Sequence, residues 1–280
     1  MTKKQSVLIF IILCLVLVVT AALYMRRYNL PFSKTTVVSG SENITLSYPK
    51  AGDTVSFPFT LEGTARVFEN VVRIRLLDTS TKTVLFEDSA YADAPDAGQF
   101  GYYSKQIDYL LAKPTSDQVE LQVFWSSPKD GSAIDPVIIP LTMSLSSFVE
   151  VAAYFTQTEL NPASQCDSVI PSPRIMPDFI KEHDWLTAQK ALEFLLHGPS
   201  LSEETRGLAT QINPNVVIED FELVGDTATV NFNKSLEQGV AGSCRVSAIR
   251  AQIEQTLKQF PYIKNVVIKV DGESNGVLQP

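Results

Sequence analysis

The chain has 280 residues, of which 45% are hydrophobic and 19% charged, with a net charge of −8. Less a membrane segment, that length suits two domains of about 100 to 150 residues each. The acidic balance, with Lys and Arg scattered beyond the N-terminus, excludes a nucleic-acid partner, because phosphate binding needs a clustered positive face.

Val7 to Met25 is an unbroken apolar run between Lys3, Lys4 and Arg26, Arg27. A run of that length crosses a roughly 30 Å hydrocarbon core as one helix, which predicts a cytoplasmic tail and transmembrane anchor over residues 1–28. The alternative is a secretory signal peptide cleaved near Thr20-Ala21-Ala22. The apolar stretch continues through Leu23 to Met25 and stops at two arginines, which suits an uncleaved signal-anchor. Leu13 before Cys14 does not suit lipid attachment to that cysteine. Two basic residues flank each end, so charge does not set orientation; a short N-terminal tail left in the cytoplasm places the remainder outside the cell membrane, as a single-pass protein.

After a polar linker over residues 29–43, short segments carry apolar residues at every second position: Ile44/Leu46/Tyr48, Val55/Phe57/Phe59/Leu61, Val72/Ile74/Leu76, Val84/Phe86, Val119/Leu121/Val123/Trp125 and Val137/Ile139/Leu141/Met143. That is the period of a strand with one buried face. Turn chemistry separates them at Pro49-Lys50-Ala51-Gly52-Asp53, Gly63, Asp78-Thr79-Ser80-Thr81 and Pro128-Lys129-Asp130-Gly131. The expectation for residues 44–146 is an all-β, immunoglobulin-like sandwich.

In residues 147–280 the period changes. Val149/Val151/Ala153/Phe155 alternate as a strand, a loop over Asn161 to Pro177 follows, and a helix runs from about Trp185 to Leu196 with Asp184 as N-cap and Gly198-Pro199 as its stop. A hairpin over Val216–Val224 and Thr227–Phe232 turns at Gly225-Asp226. A longer helix from Ser243 places Val246, Ile249, Ile253, Leu257 and Phe260 on one stripe, and Val266/Ile268/Val270 form a last strand. The order implies a compact α+β domain with helices on one face of a small sheet.

Two resemblances follow from these residues. Ser47 to Val55, Leu61 to Glu69, Arg75 to Asp78 and the Asp130-Gly131 turn resemble the immunoglobulin-like domain of bacterial spore-germination proteins. Val151 to Phe155, Ala191 to Pro199, Ala228 to Phe232, and Ala248 to Val270 with Gln252, Thr256-Leu257 and Gln259-Phe260-Pro261, resemble the GerMN domain of sporulation and germination proteins. The tandem implies an envelope-associated module that scaffolds or recruits other proteins and is not an enzyme; a cell-wall glycan-binding module is the first alternative and a hydrolase the second.

The residues themselves carry little chemistry. No metal-protease, nucleophile-elbow, phosphate-loop or dinucleotide motif occurs, and no cofactor or metal is expected. His183 and His197 flank or end a helix. Asp78, Asp130 and Asp135 lack the dense acid spacing of a calcium loop. Phe100, Tyr102 and Tyr103 are read as sandwich core with exposed edges, or as a sugar-stacking cluster. Arg174, Arg245 and Arg250 are candidates for a surface that meets an acidic partner or an envelope polymer. Outside the cytoplasm Cys166 and Cys244 are expected to form a disulfide at the N-terminus or outer edge of the second helix; the alternative is two buried thiols.

Overall fold

The computed structural model describes residues 40–144, 147–157, 166–178 and 184–279. The apolar run Val7 to Met25 and His183 lie outside them. Among the described residues no helix is long and apolar enough to cross a membrane.

The first half is a two-sheet sandwich. One sheet has the order β1–β3–β6, from β1 (Ile44–Tyr48), β3 (Phe59–Ala65) and β6 (Gly101–Ile107); the other has the order β2–β8–β7–β4–β5, from β2 (Thr54–Ser56), β4 (Val71–Asp78), β5 (Val84–Tyr91), β7 (Gln118–Ser126) and β8 (Ala133–Ser144). Alternation does the work: Ile44, Leu46, Leu61 and Tyr103 from the first sheet meet Ile74, Leu76, Leu121 and Ile139 from the second, all buried. Gly63 lets β1 and β3 pack closely, since a Cβ there would stand 2.1 Å from the Thr45 carbonyl oxygen and 2.5 Å from the Tyr103 hydroxyl. That hydroxyl donates to the Thr45 carbonyl at 2.8 Å.

Two expectations need correction here. Val55 to Leu61 is not one strand. Pro58 has no N–H to give a ladder, and the chain breaks between Ser56 and Phe59, sending β2 to pair in parallel with β8 and β3 to the opposite sheet. Strand β6 also joins the fold, with Tyr103 inside and Tyr102 outside.

The second half opens with β9 (Phe148–Gln157). The expected Asn161 to Pro177 loop is a strand over its last part: β10 (Ile170–Pro177) pairs with β9 along eight residues. The prolines that suggested a loop sit at 171, 173 and 177, on the same parity as Ile175. Ile175 turns its N–H and C=O away from β9, to exchange both bonds with Leu110 of the first half at 2.8 and 2.7 Å. The prolines therefore lose no bond to β9, whose ladder runs through the even positions.

Helices α1 (Asp184–His197) and α2 (Leu201–Thr205) follow, then β11 (Leu208–Ala209), β12 (Ile218–Val224), β13 (Thr227–Phe232), helix α3 (Ser243–Lys258) and β14 (Asn265–Val270). The small sheet is in fact two sheets, β10–β9–β11 and β12–β13–β14, the second closed by a parallel β13–β14 pair across α3. The split follows from α3, whose polar side chains occupy the edge of β9 that a strand would otherwise take. Gln259 accepts from Ala152 N and donates to Ala152 O, both at 2.8 Å; Thr256 Oγ1 accepts from Tyr154 N at 3.1 Å; Gln252 Nε2 donates to Tyr154 O at 3.3 Å. Gln252 and Thr256 are fully buried beside Ile249, Ile253 and Leu257, and their bonds to the strand satisfy them there.

Candidate functional site

The densest polar constellation lies where the two halves meet. Arg174 projects from β10 and is 1% exposed, as is Glu203 of α2. The guanidinium grips the carboxylate with both ends, Nη1 to Oε1 at 2.7 Å and Nη2 to Oε2 at 2.9 Å, and Nη1 also donates to Ser172 Oγ and Pro173 O. Tyr109 of the first half and Phe155 of β9 place their rings 5.3 and 5.6 Å from its carbon. This is a cation between two π-faces with a bidentate counter-ion, the arrangement that suits arginine and not lysine.

Local sequence builds the other side. Ser200 and Glu203 form a capping box at α2: Ser200 Oγ accepts from Glu203 N, and Glu203 Oε2 accepts from Ser200 N at 2.7 Å. Ser172 Oγ donates to the same carboxylate. Burial alone would raise the Glu203 carboxyl, but the hydrogen bonds and charge of Arg174, with those of Ser172 and Ser200, outweigh it and hold the group below its ordinary value. From the first half, Glu87 of β5 accepts from Ser202 N at 2.9 Å and is held by Arg75 at 2.6 Å. Phe86, Tyr109 and Phe194 follow one another as tilted ring pairs with centroids 5.3 and 5.1 Å apart, and one contiguous apolar core runs through both halves.

The arrangement is suited to holding β10 and α2 together. Arg174 and Glu203 neutralise each other out of solvent, and the acid lacks a free lone pair aimed at a cleft. His197 ends α1 with its ring 6.2 Å from that of Tyr109. His197 is exposed by surface area, yet the protein packed around its ring and the nearby Lys105 ammonium hold its pKa below the usual value.

The expected surface cations are thereby reassigned. Arg174 is not at the surface: it is buried because Glu203 pairs with it. Arg245 donates to Asn213 Oδ1 at 2.6 Å and to the carbonyls of Gln211 and Gly239, and Arg250 donates to the carbonyls of Val277 and Leu278. Both are half-buried and clasp loops and the C-terminal segment to α3. The three are not brought together into one patch. Cys166 and Cys244 are joined, their Cα atoms 4.9 Å apart, with Cys244 in the first turn of α3.

The acids also separate. Asp78 is buried and accepts five hydrogen bonds, from the backbone N–H groups of Ser80, Thr81 and Thr115 and the hydroxyls of Ser80 and Thr115. Burial opposes its ionisation, but those bonds prevail and depress its pKa strongly. Asp135 lies at the other end of the sandwich, bonded to Asn43 and Trp125, and Asp130 closes its own turn on Ser132. Among the described residues no group of three His, Cys, Asp or Glu could hold a metal. Sequence reasoning missed Glu203 and Tyr109. The Ser200-x-x-Glu203 pattern was a readable capping signal, whereas nothing local marks Tyr109.

Each half of the chain matches a known family. Residues 43–132 match the family described as the immunoglobulin-like domain of bacterial spore germination, and residues 153–276 match the family described as sporulation and spore germination. Among solved structures, the first GerMN domain of the sporulation protein GerM from Bacillus subtilis aligns at 17% identity and TM-score 0.32, over 45% of this chain and 85% of that one. The tandem GerMN domains of the same protein align at 21% identity and TM-score 0.35, over 53% of this chain and 51% of that one. No curated protein sequence matches the chain.

Proposed function

We propose that this tandem of a spore-germination-type immunoglobulin-like domain and a GerMN-type domain is a membrane-anchored, extracytoplasmic scaffold in a sporulation- or germination-like envelope assembly. The apolar run Val7 to Met25 holds it in the cell membrane, and the two domains stand outside as one body that recruits envelope proteins. The observation that carries the reading is the seam. The backbone exchange between Leu110 and Ile175, the bond from Ser202 to Glu87 and the Tyr109 ring against Arg174 fix the two domains in one relation. A recruiting protein gains from such fixed spacing between its surfaces, whereas an enzyme gains from a cleft with converging, unsatisfied groups.

The test combines topology and partners in native cells. Protease added outside, with any outer barrier permeabilised, is expected to degrade both domains, and proximity labelling from the C-terminal domain is expected to mark envelope proteins. A body that resists external protease while remaining sensitive in lysed cells would refute the topology. A hydrolytic activity lost in a folded His197→Ala variant would replace the scaffold reading with an enzyme.

A further inference from the structure

One end of the sandwich is built differently from the rest of the surface. Four of the five exposed Phe and Tyr residues among those described lie there: Phe68, Tyr91, Phe100 and Tyr102, at 57, 63, 43 and 52% exposure. Backbone pairing holds them together. Tyr91 is opposite Val71, Ala92 N donates to Asn70 O, and Asn70 Nδ2 donates to the Tyr91 hydroxyl at 3.3 Å. Asp93 bridges to Tyr102, and Arg66 lies over the Phe100 ring at 5.0 Å. Phe68 is raised on a turn in which Glu69 and Asn70 both take left-handed backbone, with φ of 55° and 58°, a conformation that non-glycine residues adopt only when the surroundings impose it.

The chain enters the sandwich at this same end. Arg66 donates to Asn43 Oδ1 at 3.0 Å, and Asn43 donates to Asp135 at 2.7 Å, immediately before β1 begins at Ile44. In sequence only Arg26 to Ser39 separate the apolar run from the first described residue, a tether that cannot exceed roughly 50 Å even at full extension. The second domain is held toward the opposite end, through Leu110 with Ile175, Lys190 with Asp108, and Phe57 beside Phe148, and reaches along β5 as far as Glu87, which accepts from Ser202 N.

We propose that the Phe68/Tyr91/Phe100/Tyr102 end is a bilayer-contacting surface, its rings and Arg66 seated in the lipid headgroup layer, with the second domain pointed away from the membrane. Aromatic side chains with a polar edge settle at that depth, one part in apolar and one part in wet surroundings. Arg66 and Arg73 are offset by Glu69, Asp93 and Asp96, so the contact does not depend on anionic lipid, and phosphatidylcholine suffices. The inference rests on the anchored topology proposed above.

Its test uses the full chain in phosphatidylcholine vesicles containing a lipid with a headgroup nitroxide, which quenches tryptophan at short range. Phe68→Trp and Phe100→Trp report from the aromatic end and Lys113→Trp from the opposite end, each read as the difference from the native chain with Trp125 and Trp185; circular dichroism checks folding. Quenching at positions 68 and 100 is expected to exceed that at 113 by threefold or more. Equal quenching at both ends, with the chain still sedimenting with the vesicles, overturns the surface and leaves the anchor standing. A chain that does not sediment overturns both. Absence of quenching together with a spectral change at position 68 on adding purified wall polysaccharide replaces lipid with a wall polymer.

Discussion

Removing the charge of Glu203 while keeping its shape tests how the seam is held. In Glu203→Gln the guanidinium of Arg174 stays buried between Tyr109 and Phe155 without a counter-ion, and the reciprocal bond to Ser200 N weakens. Breaking one partner of a buried, bidentate pair costs about 3 to 5 kcal/mol, far more than an exposed pair, because the remaining charge is left desolvated. For a body of this size, where about 1 kcal/mol moves the midpoint by roughly 2 to 4 °C, the expected fall in Tm is about 6 to 20 °C. Arg174→Met should be of similar size. The double variant Arg174→Met/Glu203→Leu replaces the pair with apolar side chains and should lie within about 2 kcal/mol of the native protein, since neither charge is then stranded. Scanning calorimetry and urea titration of the four proteins complete the cycle. Strictly additive losses, or a loss below about 1 kcal/mol in either single variant, would refute the reasoning. The calorimetric trace carries a second readout: in Glu203→Gln the halves should begin to melt as two transitions, because the ion pair orders β10 and α2, two of the elements that touch the first half.

The depressed Glu203 carboxyl links stability to acidity. Its contribution is full above the ordinary glutamate value of 4.5 and is lost as pH falls through the lower folded value, so urea midpoints should drop below about pH 4.5 and the Glu203→Gln variant should show a shallower drop. Joining Cys166 to Cys244 closes a loop of sequence separation 78, worth about 4.5 kcal/mol in the chain-entropy account, so Cys166→Ser/Cys244→Ser should lose up to about that much in urea titration, and non-reducing mass spectrometry of the native protein should show the linked peptides. Gln259→Leu keeps volume at the C-cap of α3 but orphans both backbone groups of Ala152, and should lose about 2 to 3 kcal/mol and raise amide exchange along β9, where a merely packing role for Gln259 would leave exchange unchanged.

What the sequence made legible follows from how local each signal is. Most strands of the sandwich announced themselves by period two, although β6 did not and β2 and β3 read as one, and α1 and α3 showed by their stripes and stops, because one buried face per element is enough to imprint a period. β10 did not. Its alternation reads Pro171, Pro173, Pro177 on one parity and Ser172, Arg174, Met176 on the other, so proline and polar residues hid a strand whose fitness depends on two neighbours, β9 on one edge and Leu110 on the other. The arginines failed for a related reason. A buried Arg is indistinguishable in sequence from an exposed one until its partner is known, and the partner of Arg174 comes 29 residues later, from a short helix recognisable only by its capping box.

The same dependence explains why the two family regions act as one body. The first family region ends at 132 and the second begins at 153, so each could be imagined to fold and act alone. Yet β10 places one edge on the sandwich, and α2 points the Ser202 amide at Glu87. Each contact satisfies a polar group that the interface itself takes out of water, so the seam holds no unpaired donor or acceptor there. Separation at the seam would strip the Ile175 and Leu110 amides of their partners, uncover the Tyr109 face of Arg174 and free Glu87 from Ser202 in a single step. A hinge between domains needs an interface that can open one contact at a time; here backbone bonds, a buried ion pair against Tyr109 and a shared apolar core meet in one seam, which favours a single fixed relation between the two halves.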